Sequence, residues 1–148
     1  MPYSPIDIAN KIIARTDAEQ GEIISNLKLQ KLLYYLQGYF LAIHGEPLFE
    51  GKIEAWQYGP VSREAYFYFK DYGSGALQLR EGAQIPELSQ EHEQLFSEVL
   101  KEYGQFSAIK LMDMTHEETP WETVFSSTPQ GEIDHKILID FFKTQIEE

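Results

Sequence analysis

Apolar positions at helical spacing dominate the chain. Leu29, Leu32, Leu33, Leu36, Phe40 and Ile43 recur at offsets of three and four, which lines one side of a helix and demands a packed partner. This helix is predicted to start near Ser25 or Asn26, to run to about Ile43, and to be ended by Gly45 and Pro47. Ahead of it, Tyr3-Ser4-Pro5-Ile6-Asp7-Ile8 has the order of a helix start: Ser4 as N-cap, Pro5 at the first helical position, Asp7 in the first turn, and Tyr3 placed to staple onto Ile8. Ile8, Ala9, Ile12 and Ile13 then form its apolar face, which fades from Asp17 to Gly21. Toward the other end, Leu95, Phe96, Val99, Leu100 and Tyr103 make a stripe between Ser89 and Gly104. Ser107 opens a shorter helix reaching Met114, Thr119-Pro120-Trp121-Glu122 reads as a capping box with Thr119 as cap, and Asp134 caps a last helix. That last helix pairs Ile133 with Leu138 as a staple and buries Ile137, Leu138, Phe141 and Phe142.

The middle of the chain follows other rules. Lys52 to Tyr58 alternates and is rich in strand formers, so a short extended element is predicted there. Pro60 removes a backbone donor and biases Gly59 away from helix, so AWQYGPV, Ala55 to Val61, is a rigid corner that fixes the directions of Trp56 and Tyr58. Ser62 is placed to cap a helix from Arg63 to Tyr72 whose aromatics, Tyr66, Phe67, Tyr68, Phe69 and Tyr72, surround it instead of keeping to one face. Gly73 to Leu88 reads as a loop with a small hairpin near Leu77 to Ile85. No period of 20–50 residues repeats. The expectation is a mainly α protein: one compact domain over residues 1–148, six or seven helices, a small extended element, and no appended DNA-reading module.

Composition narrows the chemistry. With no cysteine, a disulfide scaffold, a thiolate metal site and a cysteine nucleophile are all excluded, which fits a reducing cytoplasm. No run approaches the ~18 apolar residues of a membrane span. The net charge is −12 and uneven: residues 1–86 carry 10 acids and 8 bases, whereas 87–148 carry 14 acids and 4 bases. A half at −10 repels phosphate backbones, which disfavours nucleic acid and favours a basic protein partner.

Candidate catalytic groups are sparse. His44, His92, His116 and His135 lie far apart, none at the spacing of a helical zinc site, and neither a nucleophile elbow nor a phosphate-binding loop is present. No metal or cofactor is expected. His116 and Glu117 could serve a hydrolase, but the simpler reading has Trp121 filling a gap at a helix start and His116 bonding a nearby carbonyl or carboxylate. Lys28 and Lys31 either run along an apolar face or bridge to Glu54 or Glu117. The aromatics from Trp56 to Tyr72 are the candidate binding surface, although most of them belong in the core.

KLQKLLYYLQG (Lys28–Gly38), EPLF (Glu46–Phe49), EAWQYGPV (Glu54–Val61) and MTHEETPW (Met114–Trp121) occur in one order that resembles the Panacea, or SocA-like, antitoxin family, whose members are often labelled phage-associated. The resemblance implies a bacterial cytoplasmic protein that neutralises a co-encoded protein toxin by direct contact, without catalysis. An alternative it implies is a proteolytic adaptor delivering the toxin to an AAA+ protease. Carried onto this chain, the motif positions are Leu29, Lys31, Leu32, Tyr34, Ala55, Trp56, Tyr58, Gly59, Pro60, Val61, His116 and Trp121. Lys31, Tyr34, Trp56 and Tyr58 are the candidate partner contacts, and the remainder are scaffold. The loop Gly73–Leu88 is a candidate specificity element.

Overall fold

The computed structural model describes residues 2–20 and 24–146. Helix α1 (Pro5–Gln20) precedes α2 (Asn26–His44), a hairpin of β1 (Ile53–Trp56) and β2 (Gly59–Ser62), and α3 (Arg63–Tyr68) with a 3-10 turn at Lys70–Tyr72. There follow α4 (Gln90–Gly104), α5 (Ala108–His116), α6 (Thr119–Ser127), β3 (Glu132–Ile133) and α7 (His135–Lys143). Among the described residues the protein is therefore mainly helical, with seven α-helices and one three-stranded sheet.

Helix α2 is the axis of the fold and packs against α1, α4, α5, α7 and β2. Ser25 caps its start by accepting from Lys28 N at 3.2 Å, and Gly45, at φ 75°, ends it with its N–H on Leu41 O at 3.0 Å. The apolar spacing predicted burial of one side only. Instead, Leu29, Leu32, Leu33, Leu36, Phe40 and Leu41 are buried together with Tyr34, Tyr35, Lys28, Gln30, Lys31 and Gln37, while Ile43 is exposed. A helix enclosed this way must satisfy its polar side chains internally. Gln37 accepts from Leu48 N at 2.9 Å and Phe49 N at 3.2 Å and donates to Phe49 O at 2.7 Å. Gln30 accepts from Ser62 N at 2.9 Å and donates to Asn26, whose amide in turn reaches Tyr66 O. Lys28 donates to Gly104 O at 2.8 Å.

The sheet order is β2-β1-β3, antiparallel throughout, with Ala55 opposite Pro60 and Trp56 opposite Gly59. Pro60 is tolerated because β2 is an edge strand. The predicted extended segment thus becomes the central strand of a small sheet, joined to β2 by Gln57-Tyr58. Its third strand follows Gln130, whose φ of 67° turns the chain so that Gln130 N reaches Ala55 O at 2.7 Å. Tyr3 enters not as a helix staple alone but as a parallel bridge to Phe49, with Tyr3 N on Leu48 O at 3.0 Å and Glu50 N on Tyr3 O at 2.8 Å.

Three local expectations are corrected. No strand forms between Leu77 and Ile85. Leu79 and Ile85 there are exposed, and the backbone is held by α1 instead, through Asn10 to Gln84 O and Lys11 to Pro86 O at 2.8 Å. The helix expected to reach Tyr72 ends at Tyr68, because Phe69 turns into the core while Phe67 stays outside. Thr119 is the first residue of α6 and not its cap; Glu118 holds that position with its carboxylate engaged elsewhere. The caps at Ser107 and Asp134 form as predicted and Ser89 caps α4, each accepting from a backbone N–H three residues on, whereas Ser62 stands at the α3 cap position without a side-chain capping bond.

Helices α2 and α7 meet at Gly38. A methyl added there would come within 2.1 Å of Phe142 Cε2, in a ring that is itself fully buried. Gly38→Ala is therefore expected to destabilise the fold by about 1–3 kcal/mol through overpacking, although alanine is the better helix former. Chemical denaturation measures this, and a gain in stability would contradict the close approach.

Candidate interaction site

The β1–β2 corner is built around a lysine. Lys31 leaves α2 and runs beneath Gly59, where a Cβ would stand 2.4 Å from its Cε and 3.1 Å from its Nζ. Gly59, at φ 117°, is thus required twice, once by backbone and once by space. The amine donates to Pro60 O at a long 3.4 Å and has no ion-pair partner among the described residues, so the expected bridge to Glu54 or Glu117 does not form. Glu54 instead accepts from Trp56 Nε1 at 2.9 Å. Burial lowers the Lys31 amine from its usual range to about 7.

On its other side the corner is braced by α5 and α6. Trp121 Nε1 donates to Trp56 O at 2.7 Å, and its ring lies between His116, 4.1 Å away and near parallel, and Phe125 at 4.6 Å. Burial lowers the pKa of His116, against a hydrogen bond to the Gln57 backbone.

A cleft of about 610 Å³ opens between the first turns of α2, the corner, Tyr66 of α3, and Ile109 and Met112 of α5. Lys31, Trp56, Tyr58 and Val61 line it, and Trp56 meets Tyr66 edge-on at 4.9 Å. Outside stand three exposed apolar side chains: Tyr58 at 60 %, Ile109 at 58 % and Phe67 at 47 %. Phe67 lies 6.1 Å from Trp56 and is flanked by Arg63 and Lys70. The cleft is concave, mainly apolar and rimmed by large side chains, the form taken by recognition pockets.

Of the four candidate contacts, the structure brings Lys31, Trp56 and Tyr58 to this cleft and takes Tyr34 away from it. Tyr34 is wholly buried, because α2 has no solvent side at that level. Its hydroxyl donates to Glu118 Oε1 and that of Tyr35 to Oε2, both at 2.8 Å. Tyr35 stacks on Tyr103 at 3.9 Å, and the Tyr103 hydroxyl meets that of Tyr39 at 2.7 Å. Burial, then the Glu118 charge, raises the Tyr34 and Tyr35 hydroxyls, which stay donors. Burial likewise lifts Glu118 to about 7, although both tyrosines oppose this. Among the expected scaffold positions, Leu29, Leu32, Ala55, Gly59, Pro60 and Val61 are all buried. Ile109 and Met112 escaped notice in the sequence; the available signal was that Ile109 stands off the stripe formed by Leu111 and Thr115.

Two buried ionisable groups make stability depend on pH in opposite senses. Glu118 has a folded value of about 7, above the usual 4.5, so its contribution is full below 4.5 and is lost as pH rises through 7. Lys31 has a folded value of about 7, below the usual 10.5, so stability recovers as pH climbs from 7 toward 10.5. These two groups place a minimum near neutrality, with arms of about 3–5 kcal/mol. Denaturant titrations across pH should show Glu118→Gln flattening the acidic arm and Lys31→Met the alkaline one; arms unchanged in the variants would refute the assignment.

Residues 29–122 match the family model described as "Antitoxin SocA-like, Panacea domain". A protein named antitoxin SocA, from Caulobacter vibrioides (strain NA1000 / CB15N), is 35 % identical, the comparison covering 82 % of this chain and 73 % of that protein. No solved structure matches the chain.

Proposed function

The chain belongs to the SocA-like, Panacea-domain antitoxin family, and from that footing we propose that it neutralises a protein toxin by direct contact through the Trp56–Tyr58 cleft and its apolar rim. The observation that carries the choice of surface is that Tyr58 and Ile109 are exposed where they line a concave pocket, with exposed Phe67 6.1 Å from the Trp56 ring. Large apolar side chains gathered at a rim gain most by being covered, and tyrosine supplies area with a polar tip.

Charge supports the same reading at longer range. Residues 87–148 carry a net −10 within a chain of −12, a field that draws in a basic partner before contact. Occupancy then suffices for inhibition, and the family's antitoxin role calls for no catalytic step. Among the described residues no group of three or more His, Asp or Glu is placed to hold a metal, and no helix is long and apolar enough to cross a membrane.

Co-expression with the product of the neighbouring gene tests the reading, which requires that product to arrest growth and this chain to relieve the arrest. Tyr58→Ala and Ile109→Ser are expected to leave stability within ~0.5 kcal/mol while weakening the complex about tenfold or more each. Calorimetry on the purified pair decides, and undiminished affinity would move the contact elsewhere. Blocking by occupancy also predicts an unchanged toxin half-life; shortened survival in its presence would favour delivery to an AAA+ protease instead.

A further inference from the structure

Among the described residues Lys31 is the one charged side chain lining the cleft, and none of them brings a carboxylate to its lining. The chain has twice as many acids as bases, yet here it leaves a fully buried amine with a single long bond to Pro60 O. Glu54 holds the Trp56 indole and Glu118 the two tyrosines, and neither forms an ion pair with Lys31. A buried cation left without counter-charge is costly, and a group that supplies one on binding is rewarded. Beyond the cleft lining, Lys70 and Arg63, the latter 4.0 Å from Glu54, flank exposed Phe67.

We propose that the cleft seats a carboxylate of the bound partner, carried on an apolar residue, against Lys31. The site rests on the antitoxin reading above and adds to it the chemistry of the anchor. Trp56, Tyr66, Met112 and Val61 form the walls for the apolar body, and Lys31 at the base meets the charge. Tyr58, largely in solvent, lines the same cleft. Burial that holds the amine near 7 agrees with surroundings in which the described residues supply no anion. The net acidity of residues 87–148 and this local cation do not conflict. The first governs the approach of a basic partner, the second selects one acidic contact within it, as rim and centre commonly divide the work. A partner protein is favoured over a free metabolite because the apolar rim extends beyond the cleft and would be left uncovered by a small molecule.

N-acetylphenylalanine and its uncharged amide, identical except for the carboxylate, serve as probes on the full chain. NMR titration following the Lys31 ε-methylene signal is expected to give at least about tenfold tighter binding of the acid, with a shift at Lys31 that the amide does not produce. Lys31→Met should reduce the two affinities to the same value. The wild-type comparison stands even if that variant repacks. Equal binding of acid and amide, or a Lys31 signal indifferent to both, overturns the proposal. Prior saturation with the neighbouring gene's product should remove probe binding; a probe that still binds to that complex overturns the assignment to the partner. A chain that neutralises its toxin yet treats both probes alike keeps the antitoxin reading and loses this one, and the converse result does the reverse.

Discussion

A helix with no face left to water must find a partner for every polar group it carries, and the fold depends on how α2 does this. Each polar side chain ties a different part of the chain to the axis: Gln37 holds the backbone at Leu48 and Phe49, Gln30 and Asn26 hold the start of α3, Lys28 holds the end of α4, and Tyr34 with Tyr35 holds the start of α6. Each of these is a hydrogen bond from a side chain to an element distant in sequence, made where an unpaired group would be expensive. The motif from Lys28 to Gly38 is thus better understood as a set of clamps than as an apolar stripe. Among the described residues two groups are exceptions: Lys31 grips one distant carbonyl, and His44 Nε2 is buried without a hydrogen-bond partner.

That difference explains what could be read from the residues alone. Helix starts were legible because a cap is a local bargain between one side chain and an N–H three residues on, as at Ser25, Ser89, Ser107 and Asp134. Helical spacing likewise located the core of α4 and α7. Non-local choices were not legible. The third strand depends on Gln130 taking a left-handed conformation far from β1, and Glu118 displaced Thr119 as cap because two tyrosines on another helix claimed its carboxylate. The burial of Tyr34 and Lys31 escaped for a related reason: periodicity identifies a preferred face but cannot say that neighbours close over the opposite one.

The candidate site follows from the same architecture. The corner is fixed from below by Lys31 under Gly59 and from behind by Trp121 bonding Trp56 O, so Trp56 and Tyr58 project from a rigid base. Parts that vary in exposure, Tyr58, Phe67 and Ile109, lie on three different elements around it. The long segment from Gly73 to Leu88 is held to α1 and sits apart from the cleft lining beyond Gly73 and Ser74.

Both tryptophans of the chain, Trp56 and Trp121, belong to this corner and are joined through one hydrogen bond. One faces the cleft, and the other is stacked against the imidazole of His116. Ultraviolet emission excited at the indole band therefore comes from one neighbourhood of the molecule alone. The protein carries a built-in optical reporter at the place where its partner is proposed to bind, with an imidazole stacked on the second indole.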